Sequence, residues 1–298
     1  MRYGFGIDLG GTTVKLALLE ETGICIEKWE IPTDKTDSGS RILPDIAAAV
    51  LGCIYKRGLQ KEDIFGIGIG VPGPVDGTGT VFGCVNLGWG KTDVPAELSR
   101  LTGIPAVCGN DATIAALGEC WAGAGSSNML FVTLGTGVGG GIVIDGKILP
   151  GVHGAGGEIG HITLNREETI SCNCGKKGCA EQYLSATGIV RLAQGKFPTA
   201  KDIFDAARAG DPSALSVLNT YFSYMGQFLS TLCCVCDPEV IVLSGGVSRA
   251  GDILLKGAEE AFRQQAFGPC TSTRLAIAKL GNDAGIYGAF RLAHQTFR

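Results

Sequence analysis

Short apolar runs closed by glycine, threonine or asparagine alternate along this chain with stretches in which apolar residues return at helical spacing. Residues 5–19 read as an apolar run, a turn Asp8-Leu9-Gly10-Gly11-Thr12-Thr13, and a second apolar run. Residues 130–145 repeat this around Gly135-Thr136-Gly137-Val138-Gly139-Gly140-Gly141. Each predicts a strand, a glycine-rich turn and a strand, a β-hairpin with an exposed tip. The recurrence suggests a duplicated domain, each copy carrying one phosphate-facing hairpin.

Between the hairpins, Ile42, Ile46, Ala49, Val50 and Ile54 mark a helix over 42–56. A buried strand is expected over 64–71, ending in Pro72-Gly73-Pro74-Val75-Asp76, then a helix over 92–101. A short strand over 105–108 is closed by Gly109-Asn110-Asp111 and followed by a helix over 112–122. In the second half, helices are expected over 182–194, 200–209 and 213–235, the last ended by Asp237-Pro238. A strand over 240–243, closed by Ser244-Gly245-Gly246-Val247, a helix over 252–265, a strand over 275–278 and a helix over 284–293 complete the pass. Strands alternating with helices argue an α/β architecture.

At 298 residues, 45% hydrophobic and 18% charged, the chain has room for two domains with sizeable cores. Mean hydropathy is +0.24, yet no run of ~18 apolar residues could span a membrane, so no membrane partner is expected. The first strand begins almost at once, and no leader segment is expected. A net charge of −4 with no basic block argues against nucleic acid as a partner. Nine of the 12 cysteines lie mostly in apolar runs, which suits reduced thiols in a cytoplasm. Cys233, Cys234 and Cys236 fall in a helix expected to be buried, where core packing explains them. The 47 glycines cluster directly after apolar strands, the way a chain builds backbone-lined anion sites.

The other three cysteines differ in setting. His161, Cys172, Cys174 and Cys179 lie among Asn, Gly and Lys, and they are four ligands of the right types for a closed tetrahedral zinc site. Gly175 and Gly178 permit the tight loop that chelation needs. Glu158 and Glu181 flank the ligands without being required by them, which suggests a structural zinc holding a substrate pocket.

Gly135-x-Gly137-x-x-Gly140 formally matches a dinucleotide fingerprint, but a strand follows where a helix is needed. Gly90-Lys91-Thr92 resembles the end of a P-loop, but Val85 stands where that motif needs glycine. Hairpin tips of adjacent Gly and Thr still suit phosphate, because successive backbone N–H groups converge on an anion and Thr hydroxyls add donors. The candidates for a nucleotide are Asp8, Gly10, Gly11, Thr12, Thr13 and Lys15 in the first hairpin, Gly135, Thr136 and Gly137 in the second, and Gly245 and Gly246 after the third strand. A carboxylate beside phosphates repels them unless a divalent cation neutralises both, so Asp8 is the candidate for magnesium, held through water.

Phosphoryl transfer to an alcohol needs a carboxylate that orients the hydroxyl and takes its proton. Asp111 is the candidate base, with a helix cap as its alternative role. Asn110, Glu158, His161 and Glu181 could bind adjacent hydroxyls of a polyol. If one ring nitrogen of His161 binds zinc, its other N–H can donate to a sugar oxygen.

With these motifs, Gly160-His161 followed by Cys172-x-Cys174-Gly175-x-x-Gly178-Cys179-x-Glu181 above all, the chain resembles the sugar kinases of the ROK family (repressor, open reading frame, kinase), and within it the bacterial-type glucokinases. Asp8-Leu-Gly-Gly-Thr12, Gly70-Val-Pro-Gly73, Asn110-Asp111, Leu134-Gly-Thr-Gly137 and Ala155-Gly-Gly-Glu158 support the resemblance, which covers essentially the whole chain. It implies a two-lobed, actin-like (ribonuclease H-like) α/β fold with ATP and sugar in the cleft, Asp111 as base, and Asn110, Glu158, His161 and Glu181 on the sugar. It also implies zinc on His161 and the three cysteines, and places Gly73 and Asn86 at the sugar site. The expected lobes are 1–111, completed by 284–298, and 112–283, with the zinc loop at 161–179. The expected reaction is phosphorylation of the glucose 6-hydroxyl by ATP with Mg²⁺; another hexose such as N-acetylmannosamine, N-acetylglucosamine, allose or fructose is the alternative, and a non-catalytic sugar sensor a further one. Some relatives are repressors with an added helix-turn-helix head, for which no room is expected before Asp8. The expected partners are the small-molecule sugar and nucleotide, with a second copy of the chain in a homodimer or higher homo-oligomer.

Overall fold

A computed structural model describes residues 2–298, and they form two compact units. Unit 1 holds the chain up to Gly123 together with Gly146–Gly156 and Asn282–Arg298; unit 2 holds Ala124–Asp145 and Gly157–Gly281.

In unit 1 the strands are β1 (Tyr3–Leu9), β2 (Thr13–Glu20), β3 (Cys25–Pro32), β4 (Ile64–Val71) and β5 (Ala106–Asn110). Helices α1 (Ile42–Arg57), α2 (Val94–Thr102) and α3 (Asp111–Ala122) connect or follow them. The sheet order is β3-β2-β1-β4-β5. β1 and β2 are antiparallel, with Asp8 opposite Lys15, while β1–β4 and β4–β5 are parallel. β4 is buried along its whole length, as a strand covered on both faces requires. β3 is an element that the sequence pattern does not announce. It is an edge strand of half-buried and exposed residues, anchored by Trp29 against Phe5 at 6.3 Å between ring centroids, so it lacks the apolar run that marked its neighbours.

The C-terminal helix Ala284–Phe297 is longer than the expected 284–293 and lies in unit 1. It packs on β1, β4 and α3. Its Phe290 ring sits 5.4 Å from that of Phe65 and 5.5 Å from that of Trp121. The contact is close enough to bring main chains together: a methyl group at Gly288 would collide with the Ile114 carbonyl, and one at Gly68 with the Ala289 carbonyl. These glycines therefore serve helix packing, a use that the expectation of anion sites did not include. The same packing moves the boundary of the unit. The sequence reading ended the first lobe at residue 111, but α3 packs against the C-terminal helix, so the first unit runs to Gly123, and Gly146–Gly156 returns to it.

In unit 2 the strands are β6 (Met129–Leu134), β7 (Val138–Ile144), β8 (Val240–Ser244) and β9 (Arg274–Ile277). The helices are α4 (Ala186–Leu192), α5 (Ala200–Arg208), α6 (Pro212–Cys236) and α7 (Asp252–Gln265). β6 pairs antiparallel with β7 and parallel with β8, which pairs parallel with β9. The order β7-β6-β8-β9 repeats β2-β1-β4-β5, so the duplication expected from the two hairpins is present in the strand topology. Asp211 starts α6 by accepting from Ala214 N at 2.8 Å, and Pro212 takes the first turn, where no N–H partner is needed. Tyr221 and Phe228 of α6 and Phe262 of α7 are completely buried. Of the α6 cysteines only Cys233 is buried; Cys234 is exposed and Cys236 half-buried, because the three span more than one face of the helix. The helix expected over 182–194 is broken into a turn Glu181–Leu184 and α4: Ser185 adopts an extended conformation and its Oγ accepts from Gly188 N at 3.0 Å, capping α4.

Replacing Gly288 by alanine is expected to lower stability by ~2–3 kcal/mol, since the obstructing atoms are backbone and cannot rotate away. A urea denaturation midpoint close to that of the wild type would contradict the packing described.

Candidate active site

In unit 1 the parallel strands β1, β4 and β5 end at one edge of the sheet, and the residues beyond them gather there. Asp8 is the penultimate residue of β1. Its Oδ2 is 3.8 Å from Lys15 Nζ, which also donates to the Asn282 carbonyl at 3.1 Å. Burial pushes the Asp8 carboxyl above its ordinary range, and the Lys15 ammonium opposes that shift. A partly buried carboxylate of this kind gains from a second cation beside it. Gly10 N donates to Thr13 O at 3.0 Å, closing the tip between β1 and β2, and a side chain on Gly11 would meet nothing within 4 Å. Packing thus gives no reason for glycine at position 11, whereas a side chain on Gly10 would press on the Thr13 carbonyl.

Gly73 follows β4 with a φ of +97°, and its carbonyl accepts from Asn110 Nδ2 at 3.0 Å. The other end of the same amide caps α3: Asn110 Oδ1 accepts from Ala112 N at 3.1 Å and from Thr113 N at 3.2 Å. Asn110 therefore holds the cap that the sequence allowed for Asp111. Asp111 is the first residue of α3, half-buried, with Oδ1 accepting from Ala112 N at 2.7 Å. Asn86 is exposed on the single turn Val85–Leu87, which Cys84 and Trp89 close by reciprocal backbone hydrogen bonds of 3.0 and 3.1 Å. A cavity of about 280 Å³ opens beside Trp89 and is lined by none of the residues predicted to bind ligand.

In unit 2 the chain from Glu158 to Glu181 makes a second constellation. His161 Nδ1 lies 3.9 Å from Cys172 Sγ, and Cys174 Sγ lies 3.6 Å from Cys179 Sγ. All four ligand atoms fall within 4.8 Å of one another. The edge of a zinc tetrahedron with sulfur ligands is about 3.7 Å, so the donor set and its spacing fit that ion. The loop is held ready by backbone bonds: Cys172 N to Lys176 O at 2.7 Å and Gly175 N to Cys172 O at 2.9 Å. Burial and the adjacent thiols push Cys179 up to about 12, whereas the backbone N–H of Lys176 pulls Cys174 down. Nε2 of His161 points the other way, 3.8 Å from Glu158 Oε2, the orientation in which one nitrogen can serve a metal and the other a hydroxyl.

Glu181 joins this cluster to the glycine-rich turn after β6. Its Oε1 is 3.7 Å from Cys172 Sγ, and its Oε2 accepts from Val138 N at 3.1 Å. A side chain on Gly137 would overlap that carboxylate. Gly135 and Gly246, by contrast, would have open space. Gly245 packs against the Leu134 backbone with φ +85°, so the loop after β8 lies beside the turn after β6. The predicted nucleotide residues of unit 2, Gly135, Thr136, Gly137, Gly245 and Gly246, are thereby brought together.

Sequence reasoning missed Glu168, Tyr183 and Arg191. Glu168 accepts from Tyr183 OH at 2.6 Å, from Arg191 at 2.7 Å, and from the Thr169 and Ile170 amides at 3.0 Å each. Arg191 also reaches the Gln182 carbonyl at 3.1 Å and lies 4.9 Å over the Tyr183 ring. These bonds pull Glu168 down to about 2. They clamp the segment between His161 and Cys172 onto α4 and the turn that carries Glu181. No motif spacing announces a contact across 23 residues.

Two units of repeated strand topology, with glycine turns at the hairpin tips, define an actin-like, ribonuclease H-like ATPase fold. The chain belongs to the ROK family, whose pattern matches residues 4–296. It is 44% identical to a glucokinase of Halalkalibacterium halodurans over 99% of this chain and 96% of that one. It is 35% identical to an N-acetylmannosamine kinase of Yersinia pestis over 84% and 85% of the two chains. Among solved structures, a ROK family glucokinase from Streptomyces griseus in complex with glucose and AMPPNP superposes with a TM-score of 0.76 at 32% identity, covering 98% of this chain and 99% of that one. Among the described residues, no helix is long and apolar enough to cross a membrane.

The Glu168 clamp has a pH signature. Its folded pKa is depressed to about 2, so its stabilisation is present above the unfolded value near 4.5 and is lost as pH falls toward 2. Glu168→Gln is expected to cost ~2 kcal/mol near neutral pH. The gap between variant and wild-type melting temperatures should close between about pH 4.5 and 2; a gap independent of pH would show that the carboxylate charge is not what holds the loop.

Proposed function

We propose that this protein is an ATP-dependent hexokinase that phosphorylates the 6-hydroxyl of glucose. The observation that carries the chemistry is the junction at the carboxyl end of β5: Asn110 caps α3 and bonds the Gly73 carbonyl, and Asp111, half-buried, places a carboxylate beside it at the edge where β1 and β4 also end. The glucose assignment is supported by the full-length likeness to a glucokinase at 44% identity.

In this reading Asp111 accepts the proton of the 6-hydroxyl as that oxygen attacks the γ-phosphorus, and ADP leaves. Gly73 and Asn86 join Asn110 in orienting the sugar, with Glu158, His161 and Glu181 accepting or donating to its other hydroxyls. Backbone N–H groups of Gly11, Thr136, Gly137, Gly245 and Gly246 receive the phosphates, while Gly10 and Gly135, whose own N–H groups close the turns on Thr13 O and Gly137 O, shape the site, and Thr12, Thr13 and Lys15 add donors. Magnesium, when bound, neutralises the β- and γ-phosphate charge, and Asp8 would hold it through water. His161, Cys172, Cys174 and Cys179 would hold zinc with four protein ligands, leaving it no open position, so its part is structural. The free nitrogen of His161 keeps its orientation for the sugar by that attachment. We further place the protein in the cytoplasm as a homo-oligomer, which light scattering of the purified chain tests.

Phosphorylation of N-acetylmannosamine is the second reading, favoured by the 35% identity to a kinase for that sugar. ADP release measured across a panel of hexoses separates the two; turnover on none would leave a sugar sensor. Asp111→Asn is expected to bind glucose within a few-fold of the wild type while kcat falls by ~10²–10⁴. Near wild-type turnover would return Asp111 to a structural role. Elemental analysis should find one zinc per chain, with magnesium required separately for turnover. A metal-free preparation of unchanged stability and activity would contradict the assignment of the four ligands.

A further inference from the structure

We propose that the segment from Glu181 to Thr187, which follows the last of the four metal-ligand candidates, sets the phosphate-binding turn after β6, and that Thr187 is its positioning residue. The inference rests on the nucleotide reading of that turn and adds how the turn is held. Three bonds dock Gly135–Val138 on the segment. Val138 N donates to Glu181 Oε2 at 3.1 Å, Ala186 N to Gly135 O at 2.8 Å, and Thr187 Oγ1 to Thr136 O at 3.1 Å. The peptide unit is planar and trans, so a carbonyl and the following N–H point in opposite directions. Pinning the Gly135 carbonyl on Ala186 therefore turns the Thr136 N–H away from the segment. Pinning the Thr136 carbonyl on Thr187 does the same for the Gly137 N–H. Two successive donors are aimed at one side, as an anion site requires, while the next donor, on Val138, is taken up by Glu181.

The segment is itself fixed at its start. Gln182 N donates to Cys179 O at 2.9 Å, and Cys179 N donates back to Gln182 Oε1 at 3.1 Å. The metal loop, assigned to the sugar side of the reaction, thus also supports the nucleotide side. Ser185, in the middle of the segment, breaks the helix and bonds Thr187 through its hydroxyl at 3.0 Å, which orients the Thr187 side chain toward the turn.

Thr187 is exposed, so substitution there leaves the core untouched. The test compares Thr187→Val, which keeps the shape and removes the donor, with Thr187→Ser, which keeps the donor. AMPPNP affinity is measured by calorimetry without sugar, and glucose affinity separately without nucleotide. Thr187→Val is expected to weaken AMPPNP by ~3–10-fold, the worth of one neutral hydrogen bond, with Thr187→Ser close to the wild type and glucose affinity unchanged in both. An unchanged AMPPNP affinity in Thr187→Val, equal losses in both variants, or a parallel loss of glucose affinity would overturn the inference while leaving the nucleotide reading intact. A wild-type protein that binds no AMPPNP would overturn both.

Discussion

The parallel pairing of β1 with β4 and β4 with β5 is the constraint from which the unit 1 site follows. Parallel strands run their carboxyl ends to one edge of the sheet. Asp8, the tip Gly10–Thr13, Gly73 and the Asn110–Asp111 pair are far apart in sequence, yet each lies at or just beyond such an end. The hydrogen bond from Asn110 to the Gly73 carbonyl shows the consequence directly, since it joins the residues that leave two neighbouring strands. Unit 2 repeats the arrangement with β6 and β8, and Gly245 packs against Leu134 for the same reason.

Such a sheet needs cover on both faces. In unit 1 one cover is the C-terminal helix, close enough that Gly68 and Gly288 meet backbone carbonyls. Glycine therefore does two physically different things in this chain. At Gly11, Gly135 and Gly246 a side chain would find room, so the residue keeps a surface open. At Gly68 and Gly288 a side chain would find none, so the residue lets main chains touch. Composition alone joins the two uses, and this is why the sequence reading assigned the glycines to anion sites as a group.

Much of the fold was legible because its signals are local. The paired hairpins, the Asp211-Pro212 start of α6 and the Asp237-Pro238 stop act within a few residues. The cluster of His161 and three cysteines was legible too, since these residues sit in one short, polar, glycine-bearing stretch, and their potential ligand atoms come within 4.8 Å of one another. What escaped depends on distant partners. β3 is defined by pairing with β2 along an exposed edge, not by an apolar run of its own. The boundary of unit 1 depends on a helix from the far end of the chain. The bond between Glu168 and Arg191 had no sequence signal because each residue, read singly, is an ordinary surface charge; only the fold places the carboxylate under a tyrosine hydroxyl and two amides.

The break at Ser185 shows how a local irregularity ties two loops together. Apolar spacing over 182–194 favours one continuous helix, and helical periodicity cannot register the competing demand. In a continuous helix the amide of Ala186 would bond to the carbonyl of Gln182, four residues earlier. With Ser185 extended, that amide instead reaches the Gly135 carbonyl at 2.8 Å, and the Gln182 carbonyl accepts from Arg191 at 3.1 Å. The Gly188 amide and the Leu184 carbonyl also find partners, in Ser185 Oγ at 3.0 Å and Tyr221 OH at 3.0 Å, so much of the cost of ending one helix and starting another is offset locally. The amide released by the break joins the turn after β6 to the segment that follows Cys179, and the carbonyl joins that segment to the clamp around Glu168.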